Sequence, residues 1–436
     1  MQSEWATTAL ADCVDLLTGF PFKSARYVPN GEGIRLLRGD NVAQGTLRWE
    51  DARCWPAEEL ADLGDYFLQK DDVVLAMDRP WIAAGLKFAY IRESDMPSLL
   101  VQRVARLRAR RHLDARYLRY VIGGAAFTDY VLGVQTGTAV PHISRQQILT
   151  FRFPLPPLNI QREVGALLGC LDDRIHLLRQ TNATLESIAQ ALFKSWFIDF
   201  DPVRAKAEGR EPEGLNPATA ALFPGEFEES ALGLIPRGWE ARSLDSFARY
   251  LNGLALQKFP AEGDDDYLPV IKIAQLRAGN IVGADRASAR LKPEYVVRDG
   301  DVLFSWSGSL EVEFWCGGDG ALNQHLFKVT SDEVPKWFYY LATRHFLPNF
   351  REIAAHKATT MGHIQRKHLT EAKIALPPAS VMCELGRHAA SLLERRVTNS
   401  LQARELANLR DTLLPRLISG KLRLPEAQEQ LEDALA

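Results

Sequence analysis

At 436 residues the chain is longer than one ordinary hydrophobic core supports, and two or three domains are expected. A composition of 46% hydrophobic and 25% charged residues excludes a disordered or fibrous chain. The net charge of −3 gives no overall basic field, so any surface for nucleic acid must be local or completed by a partner.

The opening stretch, MQSEWATTALADCVDLL, lacks a basic flank before an apolar core and is not expected to be a signal peptide. No apolar run approaches the roughly 18 residues of a membrane span, and a cytoplasmic location is expected. Short alternating runs follow, of which Gln102 to Leu107 is a strand pattern. A helical stretch is expected over 115–132, then an edge strand at Phe151 to Pro154 stopped by proline. After Pro157, the residues Val164, Leu168, Leu171, Ile175, Leu178, Asn182, Leu185, Ala189, Leu192 and Trp196 fall at alternating four- and three-residue steps. That spacing is a coiled-coil seam, with an amphipathic helix packed on its own domain as the alternative. Leu167, Phe193, Trp196, Phe197 and Phe200 are read as an outer face left for a partner. The stretch 201–237, rich in Pro, Gly and Glu, is a partly ordered connector.

From there the plan starts again. Trp5, Leu10 and Gly19 are matched at one constant offset by Trp239, Leu244 and Gly253. Asp72-Val73-Val74 meets Asp301-Val302-Leu303, and His142-Ile143 meets His363-Ile364. A second helical stretch is expected over 335–353, a second edge strand at Lys373 to Leu376, and a second seam from Leu385 to Leu417. In that seam Asn399 joins Asn182 as a polar residue able to fix register. The tail beyond Pro425 is acidic and expected to fray. A period this long is a domain duplication rather than a solenoid repeat. The expected domains are 1–155, a helix over 156–200, the connector 201–237, then 238–376, a second helix over 377–420, and the tail 421–436.

Catalytic signatures are missing. Gly420-Lys421 lacks the upstream glycine of a P-loop, no NPPY or DPPY string occurs, and no HExxH appears. The five cysteines, Cys13, Cys54, Cys170, Cys316 and Cys383, form no CxxC pair and suggest neither a disulfide framework nor a zinc site. An enzyme built twice would carry its catalytic set twice, and no such set is found.

The strings LLTGFPFKSARY, IRLLRGDNVAQG, GTAVPHIS, PLPPLNIQREV, ALFKSWFIDF, GLIPRGWE, KATTMGHIQ and LRDTLLPRLISGKL, in this doubled order, resemble the specificity subunit of type I restriction-modification DNA methyltransferases. The resemblance implies an α+β fold: two duplicated mixed α/β target-recognition domains separated by a long antiparallel coiled coil of two helices. It implies a non-catalytic chain that reads a bipartite site on double-stranded DNA. It further implies docking of two adenine-N6 methyltransferase subunits, with restriction subunits outside them. S-adenosylmethionine, ATP and magnesium would belong to those partners, and this chain would bind no cofactor and no metal. A stand-alone two-headed DNA-binding protein and the specificity module of a type IIB-like methyltransferase remain open alternatives.

Candidate DNA contacts fall at repeat-related places. Arg38 and Lys272 are equivalent cations beside Asn41 and Gln275, whose amides suit an adenine edge. Thr136, Thr138 and His142 correspond to Lys357, Thr359, Thr360 and His363, where hydroxyls and cations suit phosphate oxygens. Arg79 with Trp81, and Trp306 in the other copy, follow the Asp-Val strand and differ between copies, as base readers should. The run Arg106, Arg108, Arg110 and Arg111 alternates with apolar residues and is assigned to a half-buried strand.

Overall fold

The computed structural model describes residues 5–82, 84–137, 139–356 and 362–435. They divide into two compact units, residues 1–174 with 406–436, and residues 175–405.

The globular part of the first unit is built on an antiparallel sheet ordered Val14–Thr18, Val104–Ala109, Val73–Ala76, Phe88–Tyr90. Beside it lies a smaller sheet, Cys54–Trp55, Ile34–Leu37, Ser98–Leu100, whose last pairing is parallel. The second unit repeats this topology. Its main sheet runs Arg249–Asn252, Leu326–Thr330, Val302–Ser305, Val312–Phe314. Its second sheet again contains one parallel pairing, Tyr267–Ile271 with Gly320–Leu322. The edge strands read from the two prolines close each globular part against its beginning. Thr7–Ala9 pairs with Arg152–Pro154, and Glu240–Ser243 pairs with Lys373–Leu376.

The matched glycines have a steric reason. A Cβ on Gly19 would stand 2.2 Å from the Val101 carbonyl carbon, and one on Gly253 would stand 2.3 Å from the Asn323 oxygen. Any side chain there would force the two sheets apart, so both copies keep the residue that lacks one. The matched aspartates close the same turn. Asp72 Oδ2 accepts from the Gln69 N–H and Asp301 Oδ2 from the Arg298 N–H, each at 2.8 Å, just before the strand begins.

Each expected helical stretch is two helices. In the first copy they are Ala115–Gly123 and Ala125–Val134, parted where Gly124 takes an extended conformation. In the second they are Lys336–His345 and Leu347–Ala355, with Pro348 in the first turn of the latter. Of the basic run, Arg106 and Arg108 lie in the strand Val104–Ala109 as its alternation suggests, while Arg110 and Arg111 fall beyond it and are exposed. Arg106 is buried and paired with Asp15, while Arg108 grips Asp72 through two 2.7 Å bonds.

The two long helices are Leu158–Phe197 and Ala379–Ile418, each of 40 residues. Val164, Leu168, Leu171, Ile175 and Leu178 on the first are buried, as are Leu385, Ala389, Asn399, Ala403, Leu406, Leu413 and Leu417 on the second. Their pairing is antiparallel. Within the second unit Asn182 meets Asn399, Glu186 meets Arg396, and Trp196 meets His388, so one helix advances as its partner retreats. In the first unit Asp172 accepts from Arg410 at 2.7 Å.

Two expectations are corrected. Phe193, Trp196, Phe197 and Phe200 do not form an outer face. They are buried in one aromatic core with Phe223, Trp239, Trp337 and Phe338, and only Leu167 of that set stays half-exposed. The helix end is apolar on a broad arc because it meets the second globular part as well as the other long helix. The tail does not fray from Pro425: Leu424–Leu435 is helical, with Ala427 buried. Among the described residues no helix is long and apolar enough to cross a membrane.

Candidate nucleic-acid interface

In the first unit three loops converge at the end of the strand Val73–Ala76. The chain leaves it through Met77, Asp78 and Arg79, and a second segment pairs alongside. Ile143 N–H donates to the Met77 carbonyl at 2.9 Å, and Arg79 N–H donates to the Pro141 carbonyl at 2.6 Å. Thr136 and His142 exchange two backbone hydrogen bonds, of 2.9 and 2.7 Å, which fold that segment back on itself. His142 Nδ1 lies 2.6 Å from Asp78 Oδ1, and Arg103 reaches the same oxygen at 3.7 Å. The loop carrying Arg38 arrives through Gly45, whose N–H donates to the Phe88 carbonyl at 2.8 Å. Arg79, Trp81, Thr136 and His142 therefore share one region, and the Arg38 loop borders it. Thr138 lies outside the described residues.

The surface is more basic than the composition suggests. Arg48 and Arg79 are exposed there, and Arg103 retains 63% of its side-chain exposure. Burial pushes the Lys87 ammonium below the ordinary lysine range; Arg48 and Arg79 push the same way, while Asp40 and Asp78 oppose. Such a cluster keeps a field open to an anion. Lys87, Arg103 and Asp78 were not singled out from sequence. Asp78 stands next to Arg79, but nothing in the chain announces that Arg103 returns to it.

The second unit builds the same frame with other side chains. Ile364 N–H donates to the Trp306 carbonyl at 3.0 Å, and Gly308 N–H donates to the Gly362 carbonyl at 2.8 Å. Ser307 pairs with His363 as Asp78 pairs with His142. Met77, Asp78 and Arg79 thus correspond to Trp306, Ser307 and Gly308. Trp81 and Trp306 are not equivalent. Trp306 donates its indole N–H to Asn252 Oδ1 at 2.9 Å and packs on His325, Phe327 and His363, so it holds the frame together. Lys357, Thr359 and Thr360 lie outside the described residues.

Asn41 and Gln275 are corrected from edge readers to loop clamps. Asn41 is buried, accepts from the Arg38 N–H at 3.0 Å and donates to the Arg48 carbonyl at 3.0 Å. Gln275 repeats the pattern, accepting from Lys272 N–H and donating to the Val282 carbonyl, each at 3.4 Å. With the amide buried and both its oxygen and its nitrogen engaged by the loop backbone, neither residue presents an edge at the surface. Their equivalence made the pair visible in the sequence, and equivalence marks a shared scaffold as readily as a shared contact. Arg38 and Lys272 stay on the surface, paired with Asp40 and Asp285.

Known proteins place this frame. The model of the type I restriction modification DNA specificity domain matches residues 3–187 and 236–382, one stretch in each copy. The chain is 26% identical over 332 residues to the type I restriction enzyme HindI specificity subunit of Haemophilus influenzae, covering 65% of this chain and 71% of that protein. It is 23% identical to the MjaIX specificity subunit of Methanocaldococcus jannaschii, covering 72% and 70%. The crystal structure of the S subunit of a type I system from M. genitalium shares the fold, with a TM-score of 0.51 at 13% identity over 95% of this chain and 96% of that one. The chain belongs to the family of type I restriction-modification specificity subunits, the non-catalytic DNA-recognition members of their systems.

Proposed function

We propose that this chain reads a bipartite DNA site, one half through each globular copy, and holds two adenine-N6 methyltransferase subunits on it. The carrying observation is the backbone frame built twice with different side chains in it. Asp78 and Arg79 stand opposite His142 where Ser307 and Gly308 stand opposite His363. A common frame with variable contents is what two readers of different half-sites require. Residues 1–155 and 238–376 act as the target-recognition domains, and the helices over 156–200 and 377–420 as the spacer. The connector 201–237 includes a hairpin, Phe227–Ser230 with Gly233–Pro236, and joins the copies. S-adenosylmethionine is held by the methyltransferase partners, and ATP with magnesium by restriction subunits assembled outside them. The whole works on cytoplasmic DNA.

Arg38, Arg79, Trp81, Thr136, Thr138 and His142 serve the first half-site. Lys272, Lys357, Thr359, Thr360 and His363 serve the second. The test is the methylome, by single-molecule sequencing, of cells carrying this chain with the methyltransferase of its own system. A split motif with N6-methyladenine in each half supports the proposal. Methylation that persists when the chain is deleted removes it.

A further inference from the structure

The two frames differ in how the chain leaves them. In the second unit the chain passes from Gly308 to the strand Val312–Phe314 through a tight turn, with Ser305 Oγ accepting from the Glu311 N–H at 2.7 Å. In the first unit the equivalent passage, from Arg79 to Phe88–Tyr90, is longer and holds an added ribbon, Trp81–Ile82 paired with Gly85–Leu86.

The ribbon is anchored from below. Lys87 N–H donates to the Pro80 carbonyl at 2.7 Å, and Leu86 and Pro80 are buried. Gln44 Nε2 reaches the Gly85 carbonyl at 3.5 Å, and Gly85 takes a φ of 119° that an L side chain would strain. Two apolar side chains of the ribbon are open to solvent, Trp81 at 38% and Ile82 at 39% exposure.

Its base is cationic. Arg79 and Arg103 flank it, both exposed, and both hold positive φ, 46° and 69°. Left-handed backbone at two arginines costs energy and persists where the fold over-determines it, commonly at binding sites. An exposed apolar pair flanked by cations is poorly matched to a protein's apolar face or to a neutral surface. It matches a nucleic-acid groove, with base faces and edges inside and phosphates on both rims.

Building on the DNA-reading role above, we propose that the ribbon strand Trp81–Ile82, held by its partner Gly85–Leu86, is a groove wedge that belongs to the first reader alone. Trp81 and Ile82 lie against the bases of the first half-site. Arg79 and Arg103 hold the phosphates on either side, and Asp78 positions Arg103 and His142. The first half-site is chosen partly by how readily its base steps open, a choice that the second half-site lacks.

The test compares methylomes of cells carrying the full chain and its own methyltransferase, wild type against W81A/I82A, with W81F as the conservative variant. The expected result is a motif in which one half becomes degenerate or loses methylation at least tenfold while the other half is unchanged, with W81F restoring the wild-type pattern. The thermal midpoint of each purified chain is measured alongside; both side chains are more than a third exposed, so it should fall only slightly, and less in W81F. In DNA binding by the purified complex, R103Q should weaken all sites alike and lower the salt slope by about one. A wild-type motif and methylation level in W81A/I82A overturns the wedge and leaves the two-reader model standing. Absence of any split motif in the wild type removes both.

Discussion

Asn399 Nδ2 donates a 2.9 Å hydrogen bond to Asn182 Oδ1 across the helix pair, and Asn182 Nδ2 in turn donates to the Arg396 carbonyl and Ser400 Oγ. Asn399 is only 1% exposed and its own amide oxygen is buried without a hydrogen bond. A polar pair in an apolar seam costs stability and specifies one register, because any slip leaves both amides unpaired. N399L alone should destabilise the second unit by about 1–3 kcal/mol, since Asn182 Oδ1 loses its donor. N182L/N399L should recover stability to the wild-type level or above. Urea unfolding of the three proteins checks both expectations; a single variant as stable as wild type would dismiss the pairing as the register lock.

The seam was legible because its period is covalent: alternating three- and four-residue steps put Leu168, Leu171 and Leu178 on one stripe whatever they face. The duplication was legible because Gly19 and Gly253, or Asp72 and Asp301, answer the same local steric demand. What the aromatic residues at the end of the first helix touch was not legible. Burial against Trp239, Trp337 and Phe338 depends on tertiary neighbours that periodicity does not name. The DNA-facing candidates divided for the same reason. Asn41 and Gln275 have the chemistry of a base contact, but burial and hydrogen bonds to the loop backbone hold their amides inside it.

From that core comes a second expectation. W196A should cost about 3–5 kcal/mol of stability in the second unit, as for other buried aromatics cut to alanine. Its ring packs against Phe197, Phe223 and His388 and is 3% exposed. Thermal unfolding reads the loss directly. Unchanged unfolding together with lost methyltransferase binding would restore the outer-face reading of this residue.

Acid should weaken the second unit through Asp299. Burial raises its carboxyl, but Arg404, with two 2.8 Å contacts, and the Gly318 N–H outweigh this and hold it below the usual carboxylate range. A depressed folded-state value contributes stability above the unfolded value, and the contribution is lost as pH falls through the folded one. D299N should therefore be less stable than wild type at neutral pH, and the gap should narrow as pH falls below about 4. Both groups are part-exposed, so the difference is modest and shrinks with salt. A gap that stays constant from neutral to pH 3 would assign the effect to packing instead.

Half-site independence follows from a frame built twice. Replacing residues 1–150 by the matching region of another specificity subunit should change one half of the methylated motif and leave the other as it was. The strand pair Thr7–Ala9 with Arg152–Pro154 lies close to the proposed junction, so Phe151 to Pro154 must be matched to the incoming strand. The methylome of the hybrid decides. If both halves of the motif change together, the two copies do not read separately.

The last expectation concerns spacing. Each long helix has 40 residues, about 60 Å at 1.5 Å per residue. The seam is antiparallel, so a lengthening must be made in both helices at facing positions or the Asn182–Asn399 pair and the apolar stripe fall out of phase. One heptad inserted after Leu178 and another after Ala403, which the Asn182–Asn399 and Glu186–Arg396 contacts set opposite it in the antiparallel pair, keep the three-four alternation intact. The pair should grow by about 10 Å, equivalent to roughly three base pairs of duplex. No residue of either reading frame is altered, so both half-sites should keep their sequences while the gap between them widens by about that amount. An insertion in one helix alone should abolish methylation, because the two seams can no longer register. The methylomes of the double and single insertion strains give the answer. Retained methylation at the original gap in the double insertion would show that the helices do not set the spacing.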